Sequence, residues 1–131
     1  MAAALNFAIM DRNPHVRELI CRELGARGHA ARQVRSASEA TGLLDGPTPP
    51  QVLVVDPEAA EGHLAEIARA AGRLGGRLAL VVHAFGDAQA PQALPGALVV
   101  EKSADLGPLM ALAESLGRGA VPGEGRQGGK P

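Results

Sequence analysis

The sequence predicts an α/β protein, a doubly wound five-stranded parallel sheet in strand order 2-1-3-4-5 with helices on both faces. Three observations lead there. Residues Gln51 to Asp56 read Gln-Val-Leu-Val-Val-Asp after a break at Pro47, Pro49 and Pro50. Four consecutive aliphatic residues, most of them β-branched, fit a short central strand buried on both faces. Apolar runs then alternate with helix-period segments along the chain, the pattern of βα units joined by right-handed crossovers. Charged residues also stand at the ends of three of the runs: Asp11, Asp56 and Lys102. In an open α/β sheet the carboxyl ends of the strands face a crevice where ligands bind.

The elements follow in order. Leu5 to Met10 is the first strand, apolar apart from Asn6. Asn13 can cap a helix whose first residue is Pro14 and whose apolar stripe is Val16, Leu19, Ile20 and Leu24, with Gly25 and Gly28 at its end. Ala30 to Arg35 has one β-branched residue, Val34, and belongs at a sheet edge. Ser36-Ala37-Ser38-Glu39 is a capping box that opens a short helix with Ala40, Leu43 and Leu44 inward. The loop Gly46 to Pro50 leads into the central strand, and a third helix is expected from Glu58 to Leu74, stopped by Gly75-Gly76. Leu78 to Val82 is the fourth strand. Pro91 and Pro95 leave room for at most two helical turns between Phe85 and Gly96, before Ala97 to Val100 forms the fifth. Leu106, Leu109, Met110, Ala113 and Leu116 then mark an amphipathic helix that tolerates Pro108 near its start. Residues 1–117 are expected to form one domain and 118–131, rich in Gly, Pro and charge, a disordered tail.

Composition narrows the partners. The 131 residues carry 13 Lys and Arg against 14 Asp and Glu, so no strong field favours nucleic acid or an anionic membrane surface. Phe7 and Phe85 are the whole aromatic content, which leaves no stacking platform for bases. No stretch approaches the roughly 20 apolar residues of a membrane span, and the start lacks a signal-peptide pattern. Cys21, the single cysteine, cannot form an internal disulfide and reads as a small buried hydrophobe in a reducing compartment, so a cytoplasmic location is expected. The histidines His15, His29, His63 and His83 are scattered and give zinc no support.

In the predicted strand order the first and third strands are neighbours, so Asp11 and Asp56 meet at the switch point with Lys102 across the same mouth. Two adjacent carboxylates repel and want a cation, and a lysine there can hold an anion such as a phosphoryl group. Each residue also has a plain structural reading. Asp56 suits a helix N-cap before Pro57, Asp11 a solvated loop acid, Lys102 a surface lysine and His83 a satisfied histidine at a strand end.

Over about Leu5 to Leu116 the chain resembles the receiver domain of two-component response regulators. Ile9-Met10-Asp11-Arg12-Asn13-Pro14-His15-Val16-Arg17 is similar to the first-strand signature of that family. Asp56 aligns with its phosphoacceptor aspartate, His83-Ala84 with its Thr-Ala or Ser-Ala pair, and Lys102 with its lysine. The resemblance implies a five-stranded flavodoxin-like receiver fold. It implies a phosphoacceptor signalling domain in place of a turnover enzyme, with Asp56 the nucleophile and Lys102 and His83 beside the acyl phosphate. Mg2+ would be held by Asp11, Asp56 and the backbone carbonyl of Glu58. The implied partners are a histidine kinase or phosphotransfer protein upstream and another protein downstream. With nothing foldable after Leu116, the receiver is expected to stand alone.

The sequence departs from the pattern at several points. Arg12 replaces the second acid, His83 the hydroxyl, Val99 the switch aromatic and Ser103 a proline. Arg12 is therefore expected to reach Asp11 or Asp56, to weaken Mg2+ binding and to slow phosphorylation, and switching is expected to be weak. Two alternatives stay open: a pseudo-receiver that binds partners without phosphorylation, and a small flavodoxin-like enzyme. The second is disfavoured because Asp11-Arg12-Asn13-Pro14 lacks the glycines of a phosphate-binding loop.

Overall fold

Five parallel strands carry the molecule in the computed structural model, which describes residues 4–60, 62–86, 91, 93–94 and 96–119. They are Asn6–Met10 (β1), Ala30–Val34 (β2), Val52–Val55 (β3), Ala79–Ala84 (β4) and Leu98–Glu101 (β5). Their order is β2-β1-β3-β4-β5, the predicted arrangement, with β2 at one edge. Four α-helices accompany them among the described residues: Pro14–Ala26 (α1), Ala37–Leu44 (α2), Leu64–Leu74 (α3) and Gly107–Gly117 (α4).

Side-chain alternation sorts the sheet into two cores. Phe7, Ile9, Val52, Val54 and Val81 face α1 and α4, meeting Ile20, Leu24, Leu109 and Met110. Ala8, Met10, Val34, Leu53 and Val55 face α2 and α3, meeting Ala40, Leu44, Ile67 and Ala70. The Val52–Val55 strand is buried along its whole length, as its unbroken aliphatic run requires.

The expected caps form. The Asn13 side chain accepts from the backbone N–H groups of His15 and Val16, and Ser36 Oγ accepts from Glu39 N–H at 3.0 Å. Glu39 closes its half of the box on the preceding residue, taking Arg35 N–H at 2.9 Å.

Helix α3 starts at Leu64, later than the expected Glu58. The intervening chain is held in successive turns, with Ala59 N–H donating to Asp56 C=O (2.9 Å) and His63 N–H to Ala60 C=O (2.8 Å). Gly62 at φ +81° takes the left-handed conformation that a side chain resists, and this re-aims the chain before α3 begins. The fourth strand runs on past Val82 to Ala84, which brings His83 into the sheet.

The short turn expected between Phe85 and Gly96 falls largely on residues 87–90, 92 and 95, outside the described residues, as does the tail from 120 on. Among the described residues of this stretch, Leu94 N–H donates to Pro91 C=O at 2.9 Å, and the Leu94 side chain is buried against Val82, Ala84 and Ala97.

The last residue of α4, Gly117, lies against the beginnings of β1 and β3. A Cβ there would sit 2.8 Å from Leu5 Cδ1 and 3.1 Å from Val52 Cγ2. Gly117→Val is therefore expected to destabilise the fold by about 1–3 kcal/mol through overpacking. Urea unfolding checks this, and an unchanged midpoint would mean that Leu5 swings aside.

Candidate functional site

Register builds the site. Met10 pairs with Val55 and Val55 with Val82, so Asp11, Asp56 and His83 stand in one row across β1, β3 and β4. Each lies two residues beyond a member of the α1/α4 core, namely Ile9, Val54 and Val81, and so points to that side. Asp56 N–H donates to Met10 C=O at 2.7 Å and Lys102 N–H to Ala84 C=O at 2.7 Å, which fixes both residues immediately past their strands. The predicted convergence of Asp11, Asp56 and Lys102 is thus present.

The three charges interlock. Lys102 Nζ lies 2.9 Å from Asp11 Oδ2 and 3.3 Å from Asp56 Oδ2, and both carboxylates are 2% exposed. The contact to Asp11 Oδ2 is an ion pair, and this buried oxygen has no hydrogen-bond partner among the described residues. The remaining oxygens are held by the backbone: Asp11 Oδ1 accepts from Asn13 N–H (2.9 Å) and Asp56 Oδ1 from Glu58 N–H (3.0 Å). Asp56 therefore caps a turn and not the helix expected after it, since α3 begins only at Leu64, and it faces the crevice with its other oxygen.

Arg12 lies on the rim, as its expected reach requires. Its backbone N–H donates to Asp56 Oδ2 at 3.4 Å, its Nε is 3.8 Å from the same oxygen, and its Nη2 pairs with Glu58 Oε1. The pairing with Glu58 was not foreseen. Beneath the loop, buried Arg17 donates from Nη1 to Asp11 C=O (2.7 Å) and from Nε to Gln33 Oε1 (3.0 Å), tying β1 to α1 and β2. Arg17 belongs to the first-strand signature, but its packing role depends on Gln33, which no local motif indicates.

His83 is buried and its Nδ1 has no hydrogen-bond partner among the described residues. Burial lowers its pKa below the ordinary histidine value, and the Lys102 ammonium lowers it further against the opposing pull of Asp11 and Asp56. The ring is neutral at neutral pH and keeps one acceptor nitrogen. Phe85, at the mouth, is 66% exposed and lies with its ring centroid 5.0 Å from Lys102 Nζ, a cation–π contact that sequence spacing does not signal.

The donor set does not fit a firmly held Mg2+. That ion takes hard oxygens in near-octahedral order. Here one oxygen of each aspartate is bound to a backbone N–H, the others face Lys102, and the Arg12 guanidinium pairs with the Glu58 carboxylate. Among the described residues no group of three or more His, Cys, Asp or Glu is placed to hold a metal.

An open α/β sheet with two acids and a lysine at its switch point has its charged groups in the crevice where sheets of this kind bind ligands. Solved structures place it more closely. The N-terminal domain of a response regulator/sensory box/GGDEF 3-domain protein from Carboxydothermus hydrogenoformans matches at 18% identity and TM-score 0.71, over 86% of this chain and 94% of that chain. The response regulator TrrA from Thermotoga maritima, in complex with Mg2+-BeF, matches at 20% identity and TM-score 0.70, over 86% and 98%. NtrX from Brucella abortus, in complex with ADP, matches at 22% and 0.73, over 90% of this chain and 27% of that chain. No protein-family model and no curated sequence matches. At these identities the shared property is the fold, and the chain has the flavodoxin-like fold of response regulator receiver domains.

Proposed function

We propose that the protein is an atypical response regulator receiver, which accepts a phosphoryl group on Asp56 from a histidine kinase or a small phosphodonor and signals through protein contacts. The observation that carries this reading is the placing of Asp56 Oδ2. It is a carboxylate oxygen at the end of the central strand with a lysine ammonium 3.3 Å away. In the transfer a lone pair of Asp56 forms the O–P bond while the bond from phosphorus to the leaving nitrogen or oxygen breaks. Lys102 neutralises the phosphoryl oxygens, the buried neutral His83 lines the place of the hydroxyl, and the fixed backbone contacts of Asp11 and Asp56 keep the geometry in place. The work is positioning and charge neutralisation.

TrrA, similar in fold, is found in complex with the histidine kinase ThkA, which supports a kinase as the partner here. No helix among the described residues is long and apolar enough to cross a membrane, and we place the protein in the cytoplasm with its kinase. Mg2+ binding at Asp11, Asp56 and Glu58 is expected to be weak. Incubating the protein with a phosphodonor and weighing it intact tests the function. One added phosphoryl group, absent from Asp56→Asn, is expected. A second reading, a pseudo-receiver that binds its partner without phosphorylation, is favoured by the cations that already cover Asp56, and it predicts an unchanged mass.

A further inference from the structure

We infer that phosphoryl transfer to Asp56 does not depend on a divalent metal, because the chain supplies the cations itself: the Lys102 ammonium and the Arg12 guanidinium take the place of the metal charge. This rests on Asp56 being the phosphoacceptor. Asp56 Oδ2 is the oxygen on which the positive groups converge, with Lys102 Nζ at 3.3 Å, Arg12 Nε at 3.8 Å and the Arg12 backbone N–H at 3.4 Å. Asp56 Oδ1 is turned away and bound to Glu58 N–H, so the reacting oxygen is Oδ2. A phosphoryl group added there brings more negative charge and further acceptor oxygens next to a guanidinium whose fork suits them.

Arg12 is poised for this. Its side chain is 56% exposed, and its second contact, Glu58, is itself 57% exposed. An exposed ion pair of this kind is held weakly, so the guanidinium can turn from Glu58 to the incoming phosphate at little cost. A divalent ion entering the same space would meet both side-chain cations and would have to compete with Lys102 for Asp11 Oδ2 and Asp56 Oδ2. The chemistry balances without it. With phosphoramidate in its zwitterionic form as donor, Asp56 Oδ2 forms the O–P bond as the P–N bond breaks. The nitrogen leaves as ammonia with the protons it already carries.

The test is the rate of mass gain with phosphoramidate in EDTA and in MgCl2, for the native protein, Arg12→Ala and Arg12→Asp. Since Arg12 lies on an exposed rim, these substitutions leave the core untouched. The native rates in EDTA and in MgCl2 are expected to agree within about threefold, and Arg12→Ala to be slower in EDTA by about tenfold or more, as befits a guanidinium that stabilises phosphoryl-transfer charge. Arg12→Asp is expected to be labelled only with MgCl2. A native rate that rises by more than about threefold on adding MgCl2 overturns the inference and leaves Asp56 as acceptor. So does a native protein inert in both conditions beside an Arg12→Asp variant that is labelled with MgCl2. Absence of label at Asp56 in all three proteins overturns the proposed function as well.

Discussion

Lys102→Ala is expected to destabilise the protein by about 3–5 kcal/mol, the usual cost of removing one partner from a buried ion pair. The Lys102 side chain is 9% exposed, and its ammonium sits between two carboxylates that are each 2% exposed. Without it Asp11 Oδ2, which has no hydrogen-bond donor among the described residues, loses the ammonium 2.9 Å away, while Asp56 Oδ2 retains the peripheral Arg12. Urea unfolding measures the effect. A lysine that merely pointed into solvent would cost within about 0.5 kcal/mol, and that result would remove the interlocked site. The double variant Lys102→Ala, Asp11→Asn separates the causes. Neutralising the orphaned carboxylate is expected to restore part of the loss, with a coupling of about 1–3 kcal/mol between the two positions. Additive losses would place the role of Lys102 in packing against Phe85 instead.

What could be read from the sequence divides along a physical line. The sheet order and the convergence of Asp11, Asp56 and Lys102 were legible because they follow from period and chain direction: apolar runs set the strands, and parallel crossovers return every strand end to one side. Caps at Asn13 and Ser36 were legible because their chemistry is local. The start of α3 was not, since Glu58 and the residues after it are compatible with a helix. The left-handed Gly62 and the turns from Asp56 to His63 decide against one.

Contacts between distant residues escaped for a related reason. Arg12 meets Glu58 only once β1 and β3 are adjacent, and the closeness of Gly117 to Leu5 needs α4 folded back on β1. Within the site, the sequence placed the charges but not their assignment. That one oxygen of each aspartate would be consumed by a backbone N–H, leaving the other for Lys102, depends on loop geometry that residue types do not encode.

The other large effect lies at the opposite end of the sheet, where His29 joins β1, β2 and α4. Its Nδ1 accepts the N–H of Leu5 at 3.0 Å, and since a backbone N–H can only donate, the ring proton of the neutral form is on Nε2. That proton is given to Glu114 Oε2 at 2.7 Å, and Glu114 Oε1 accepts from Arg27 Nη1 at 3.2 Å. His29→Ala removes the ring that lies 5.3 Å from Phe7 and leaves a buried N–H and a carboxylate without their partner. A loss of about 3 kcal/mol is expected from these combined. The hydrogen bond from His29, helped by Arg27 and opposed by burial, lowers the pKa of Glu114 below the usual glutamate range. A carboxylate lowered in this way contributes stability that is fully present above its unfolded value and lost as pH falls through the folded one. Glu114→Gln should therefore cost stability at neutral pH, and its deficit against the native protein should shrink as the solution is acidified below the glutamate range. Urea unfolding of both proteins across that range is the measurement. A deficit that stayed constant with pH would mean that Glu114 acts by packing α4 and not by its charge.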